Sequence, residues 1–382
     1  MLFLFSSSRL CPNFPRHDSC FSHLHSSFVC SSQLTTTRRK FSQRAHHRRA
    51  KIYASAAQPP KNIAIIGTGI VGPTLAIALQ KFLPDSKVTL FDKRTSIDRA
   101  QGAAFNINGG AAVLAKLGLE DALHTIGNPT EKVIARTVEG NLLYTVDIDG
   151  TIRNGGAACR DLLGEDGRLL AMTVMRDEFQ KMLMDHLGND VKMRRGVRVV
   201  EVMKGEEGGS MLVLDNEERV TGFDLVVGAD GIRSKVKQYV VGNADDPLYS
   251  GIRVLFAVAP PGSAASQVER NVEQWFGDGL YALNYIAGAG QRAQNLIAFC
   301  YRADKPREEN PEYSENDTKE DCRRRMTEGR MPKKLLDVTE RCERFVEVGV
   351  HYHNVIQRWH RDNAVLCGDA AHAMAPFLGQ GK

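Results

Sequence analysis

The chain has 382 residues, 42% hydrophobic and 25% charged, a globular balance with enough apolar material for one large core or two smaller ones, which excludes disorder throughout. No apolar run reaches the roughly 18 residues needed to span a bilayer, and 34 Gly and 14 Pro exclude a collagen-like chain. The net charge of +5 is local: nine of the 50 Lys and Arg but only one of the 45 acids fall in residues 1–54, so the body is slightly acidic and carries no nucleic-acid footprint.

Residues 1–54 are rich in Ser, Thr, Arg and His, and their opening apolar stretch stops at Ser6, too short for a secretory signal. They read as a disordered transit peptide. The Ser-rich start and the IYASAAQPPK junction favour a chloroplast over a mitochondrion. Cys11, Cys20 and Cys30 would leave with it; the five remaining cysteines are scattered and form no CxxC pair, so neither a disulfide framework nor a zinc site is indicated. His351 and His353 alternate on a strand-like run with no carboxylate or thiol at ligand spacing, so no metal is expected there.

At residue 61 the composition turns globular. KNIAIIGTGIVGPTLAIALQKFLPDSKVTLFDKR predicts a strand, a glycine turn, a helix and a second strand, that is, a βαβ unit. Gly67 permits the tight turn, Gly69 lets a pyrophosphate reach backbone N–H groups, and Gly72 lets helix pack close to strand. Asp92 lies 20 residues after Gly72, where a carboxylate can accept both hydroxyls of an adenosine ribose. This motif implies dinucleotide binding without separating NAD from FAD. Two further junctions lie downstream: FDLVVGADGIRSKVK, a strand running into Asp230-Gly231, and NAVLCGDAAHAMAPFLGQG, a strand ending in Gly368-Asp369 with His372, Pro376, Gly379 and Gly381 beyond it.

With these three junctions in this order, the chain from about Lys61 to its last residue resembles the class A FAD-dependent monooxygenases, the flavin aromatic hydroxylase family, and within it the zeaxanthin epoxidase and urate hydroxylase branches. The resemblance implies that Gly67, Gly69, Gly72 and Asp92 hold FAD, that Asp230 and Gly231 contribute to FAD and NAD(P)H binding, and that Gly368 and Asp369 hold the ribityl or ribose hydroxyls near the flavin. It implies a flavin contact at Arg176, which opens a helix after a strand, and backbone donors at Gly379 and Gly381. His372 and Pro376 become positioning candidates rather than catalysts, since oxygen is activated on the reduced flavin and no side-chain nucleophile is needed.

The resemblance also implies an α/β architecture in which a Rossmann-like FAD-binding domain (55–245 and 346–382) is interrupted by a mainly antiparallel β-sheet substrate domain (246–345). There IRVLFAVA, NVEQWFG, LYALNYIA and NLIAFCY predict strands. Trp275, Phe276, Tyr281, Tyr285 and Phe299 are candidates either for an aromatic or isoprenoid pocket or for the sheet's core. The segment DKPREENPEYSENDTKEDCRRR reads as a solvated loop and helix. The expected function is an NAD(P)H- and O2-consuming monooxygenase of an aromatic or isoprenoid small molecule. A reductase of the geranylgeranyl reductase type and an inactive flavoprotein-like isoform stay open, as does peripheral membrane contact; no signal for an oligomeric state is present.

Three departures from the family stand out: Gly109-Gly110 replaces the usual Pro-Asn, Tyr352-His353 replaces a frequent Asp-Arg near the nicotinamide path, and the sequence stops at Lys382, where the family continues into a helix. On the last ground a fragment, splice form or incomplete gene model of a longer enzyme, binding FAD weakly or not at all, is expected.

Overall fold

A computed structural model describes residues 58–97, 103–156, 159–205, 209–242, 245–264, 269–306 and 315–376. The transit-peptide segment, Gly379 and Gly381 lie outside these residues, and so does the expectation drawn from the chain stopping at Lys382.

The motif strands are built from apolar runs buried on both sides, as a parallel sheet covered on two faces requires. Six strands lie in the order His360–Arg361, Ala364–Leu366, Leu225–Gly228, Asn62–Ile66, Lys87–Asp92 and Lys192–Arg195, all parallel except the first pair. Ile63 and Ile65 point to one face, where they meet Ala76 of the Val71–Phe82 helix. Ala64 and Ile66 point to the other, against Val236 and Val240 of the Lys235–Val241 helix and a small antiparallel sheet carrying Val199, Val202 and Leu212.

The second large sheet has seven strands, in the order Arg344–Tyr352, Leu248–Val258, Gln294–Arg302, Leu280–Ala287, Asn271–Gly277, Lys132–Thr137 and Leu142–Asp147. Pairing is antiparallel except between Asn271–Gly277 and Lys132–Thr137. The sheet thus recruits two strands from before residue 246, which nothing in that segment's pattern announces. Its outer face packs under the helices Glu315–Glu328 and Lys333–Glu340. The Glu315–Glu328 helix is not merely solvated: Cys322 and Met326 are fully buried against Phe299 and Leu335. The inner face packs against Ala103, Met175 and Ala375 of the motif-bearing half.

Strand alternation divides the five aromatic candidates between these faces. Trp275 and Phe299 belong to the outer core. Tyr281 and Tyr285 face inward, and Phe276 stacks on Tyr281 with centroids 5.6 Å apart.

Candidate functional site

The register of the parallel sheet brings the three sequence junctions to one edge. Ile66 stands beside Gly228 and Phe91, and Gly228 beside Leu366. The turns that begin at Gly67, Ala229 and Cys367 therefore leave the sheet side by side at its carboxyl end, the usual ligand position in open α/β sheets. Backbone hydrogen bonds fix them there: Gly67 N–H donates to Phe91 O at 2.7 Å, Ala229 N–H to Ile66 O at 2.9 Å, and Cys367 N–H to Gly228 O at 2.9 Å.

Gly67 has φ +104°, and a Cβ there would stand 2.4 Å from Ala229 O, so the contact between the first two turns requires glycine. Gly72 lets the first helix close on the turn, since a Cβ would meet Gly67 O at 1.9 Å. Nothing lies within 4 Å of a Cβ built on Gly69 or Gly231. These two glycines open onto a cleft of about 450 Å³.

Gly67, Gly69, Asp92, Arg176, Asp230 and Gly231 all line this cleft, so six of the residues read from the sequence converge. Gly72, Gly368, Asp369, His372 and Pro376 do not line it. Gly368 instead presses on the start of the first helix, where a Cβ would lie 2.7 Å from Val71 Cγ2, and Asp369 opens a four-residue helix behind it. His372 is exposed and stacks on Trp359 at 5.4 Å, and Pro376 is exposed.

The two cleft carboxylates are held differently. Asp92 is buried, which alone would raise its pKa. Hydrogen bonds outweigh the burial: Arg94 N and Nε donate to Oδ1 at 2.8 and 3.1 Å, and Thr68 N and Oγ1 donate to Oδ2 at 2.8 and 2.6 Å, holding the group at about 2. The carboxylate therefore clamps the glycine turn as well as facing the cleft. Gln180 adds a second clamp, donating from Nε2 to Thr68 O. In Asp230, Oδ2 accepts from Lys235 N at 2.7 Å, whereas Oδ1 is buried without a partner among the described residues. Burial pushes its pKa up.

Around them stand Lys93, Arg94, Arg176, Arg198, Arg233, Lys235 and Lys237, against four acids, Asp92, Asp230, Asp245 and Asp246. An excess of cations, exposed glycine backbone and an orphaned carboxyl oxygen suit a phosphate-bearing ligand with hydroxyl or amide donors, so these residues fit the ADP part of FAD. Sequence reasoning missed His353 here. It lines the cleft, donates from Nε2 to Ile232 O at 2.6 Å, and through its backbone N–H reaches Ala373 O at 3.0 Å, tying the second junction to the third.

Comparison with known proteins defines the class. A family model described as "FAD binding domain" matches residues 61–382, and the chain belongs to that family, that of the class A FAD-dependent monooxygenases. Among curated relatives, 6-methylsalicylate 1-monooxygenase of Aspergillus terreus is 28% identical, covering 84% of this chain and 71% of the relative. The 6-hydroxynicotinate 3-monooxygenase of Pseudomonas fluorescens is 26% identical over 85% and 79%. Among solved structures, Klebsiella pneumoniae HpxO complexed with FAD and uric acid superposes with a TM-score of 0.66 at 20% identity, over 84% of this chain and 76% of that one. The fold is theirs, and the enzyme is an FAD-dependent monooxygenase of the aromatic hydroxylase type.

Proposed function

We propose that the chain uses NAD(P)H and O2 to hydroxylate or epoxidise an aromatic or isoprenoid small molecule in a plastid. The observation that carries this reading is the convergence of the Gly67, Asp230 and Gly368 turns on one edge of the parallel sheet, beside a cation-rich cleft. In this reading Gly69 and Gly231 leave room for the diphosphate, Asp92 and Arg94 meet the ribose, Asp230 Oδ1 accepts a donor from the cofactor, and Arg176 lies toward the flavin. FAD, once reduced, supplies the oxygen-activating chemistry. The protein orients the partners and excludes water from between them.

The substrate would lie between the flavin and the inner face of the seven-stranded sheet. Arg176 lines the cleft while its neighbour Met175 packs on that face, and His353 lines the cleft directly after the Arg344–Tyr352 strand, so the two regions adjoin. In this division of labour, residues 55–245 and 346–382 without the strands Lys132–Thr137 and Leu142–Asp147 form the cofactor domain, and those strands join 246–345 in the substrate domain.

The test is to load the purified full chain with FAD and measure bound flavin, NADPH oxidation and O2 consumption with 18O2. Bound flavin, substrate-stimulated NADPH oxidation and one labelled oxygen in the product are expected. Product reduced at an alkene with no label would favour the reductase instead. Residues 1–54 fused to a fluorescent protein should direct it to chloroplasts; a mitochondrial signal would correct the compartment.

A further inference from the structure

The inner face of the seven-stranded sheet has an electrostatic character that narrows the substrate, given the function proposed above. Along the register, Tyr144, Gln274, Phe276, Tyr281, Tyr285 and Cys300 share this face. Tyr144 donates its hydroxyl to Gln274 Oε1 at 2.6 Å, and Tyr285 donates to Ala104 O at 3.4 Å. Among the described residues, no Asp, Glu, Lys, Arg or His occupies this face between the strand ends. Arg302 and Arg344, which share its parity, stand at the last position of one strand and the first of another, and Arg302 is exposed.

The contrast with the opposite side of the same sheet is sharp. There Arg253 bridges Glu347 at 3.4 Å, Tyr301 donates to Glu347, Arg325 lies 4.0 Å over the Tyr301 ring, and Lys334 pairs with Glu273 at 2.9 Å. Among the described residues, charge is thus accommodated along the face turned from the cofactor and confined to strand ends on the face turned toward it. Burial keeps the inner groups neutral as well: it pushes the Tyr281 and Tyr285 phenols far above their ordinary range and the Cys300 thiol up to about 12.

We propose that this enzyme takes a neutral substrate, an aromatic molecule bearing a hydroxyl or carbonyl group, and discriminates against aromatic carboxylates and other ring anions. A neutral ring gains stacking from Phe276 and Tyr281 and a hydrogen bond from the Gln274 amide nitrogen, whose oxygen already accepts from Tyr144. A carboxylate would surrender its water shell to a surface offering dipoles but no counter-charge.

Flavin difference spectra of the FAD-loaded full chain at pH 7.5 provide the test, with matched probes titrated in pairs: 4-methylphenol against 4-hydroxybenzoate, and 2-naphthol against 2-naphthoate. Each phenol is expected to bind at least tenfold more tightly than its carboxylate. A smaller margin for either pair, or no binding of either phenol, overturns the inference while leaving the flavoprotein reading intact. A chain that takes up no FAD overturns both. Gln274→Arg places a cation on the face and should move the ratio toward the carboxylate by tenfold or more; an unchanged ratio in a folded, flavin-loaded variant counts against the assignment.

Discussion

The cofactor cleft and the inner sheet face adjoin, yet they are made of opposite materials. The cleft is glycine, seven cations and four acids, two of them differently held; the sheet face is aliphatic side chains with phenols, an amide and a buried thiol among them. The difference teaches how one fold sorts two ligands: an anion is drawn to backbone N–H groups and fixed positive charge, whereas a surface without charge rewards a molecule that carries none. The same contrast separates residues that serve folding from residues that serve binding, and substitutions can pull the two apart.

The largest effect is expected at Gly72, which serves both. A Cβ there has no room against Gly67 O, a backbone atom, so Gly72→Ala should cost more than about 4 kcal/mol and abolish flavin retention, measured by melting and by bound flavin. Phe299→Ala, wholly within the outer core, should cost about 3–5 kcal/mol while the folded fraction keeps its FAD affinity; flavin loss parallel to unfolding would blur the division between cleft and sheet.

Asp92→Asn should cost about 2 kcal/mol at neutral pH, because the carboxyl is held at about 2 in the fold against 3.8 ordinarily. That stability is present above pH 4 and fades as the pH falls toward 2, so the gap between wild-type and variant melting temperatures should close over this interval. A gap independent of pH would mean that Asp92 acts by shape alone. The smallest change in stability is expected at Gly69, whose Cβ would project into open cleft: Gly69→Ala should leave stability within about 0.5 kcal/mol and weaken FAD binding roughly tenfold.

How much the sequence reveals depends on where each constraint is stored. Gly67, Gly69, Gly72 and Asp92 are legible because a turn, a close approach and a ribose-facing acid fix residue types at set spacings within one βαβ unit. The second use of Asp92, clamping Thr68 and Arg94, is invisible there, since a spacing does not show how many donors a carboxylate collects. The antiparallel strands after residue 246 announce themselves by alternation, but Lys132–Thr137 joins them by pairing with Asn271–Gly277, a contact stored at both ends and in neither. Alternation likewise separates Trp275 from Phe276 without saying which one turns toward the cofactor. His353 reads as one of two spaced histidines; its role depends on the carbonyl of Ile232, more than a hundred residues earlier.

The neighbours in the centre of the parallel sheet come from residues 62–66, 225–228 and 364–366. On a ribosome adding about 5–20 residues each second, roughly 15–60 s separate synthesis of the first of these strands from the last. Until then the nascent sheet has an open, apolar edge at Leu225–Gly228, a target for chaperones and for unwanted strand addition. Because His353 lines the cleft together with Gly67 and Asp230, the full lining exists only once the Arg344–Tyr352 strand has been made, which places flavin capture late in synthesis.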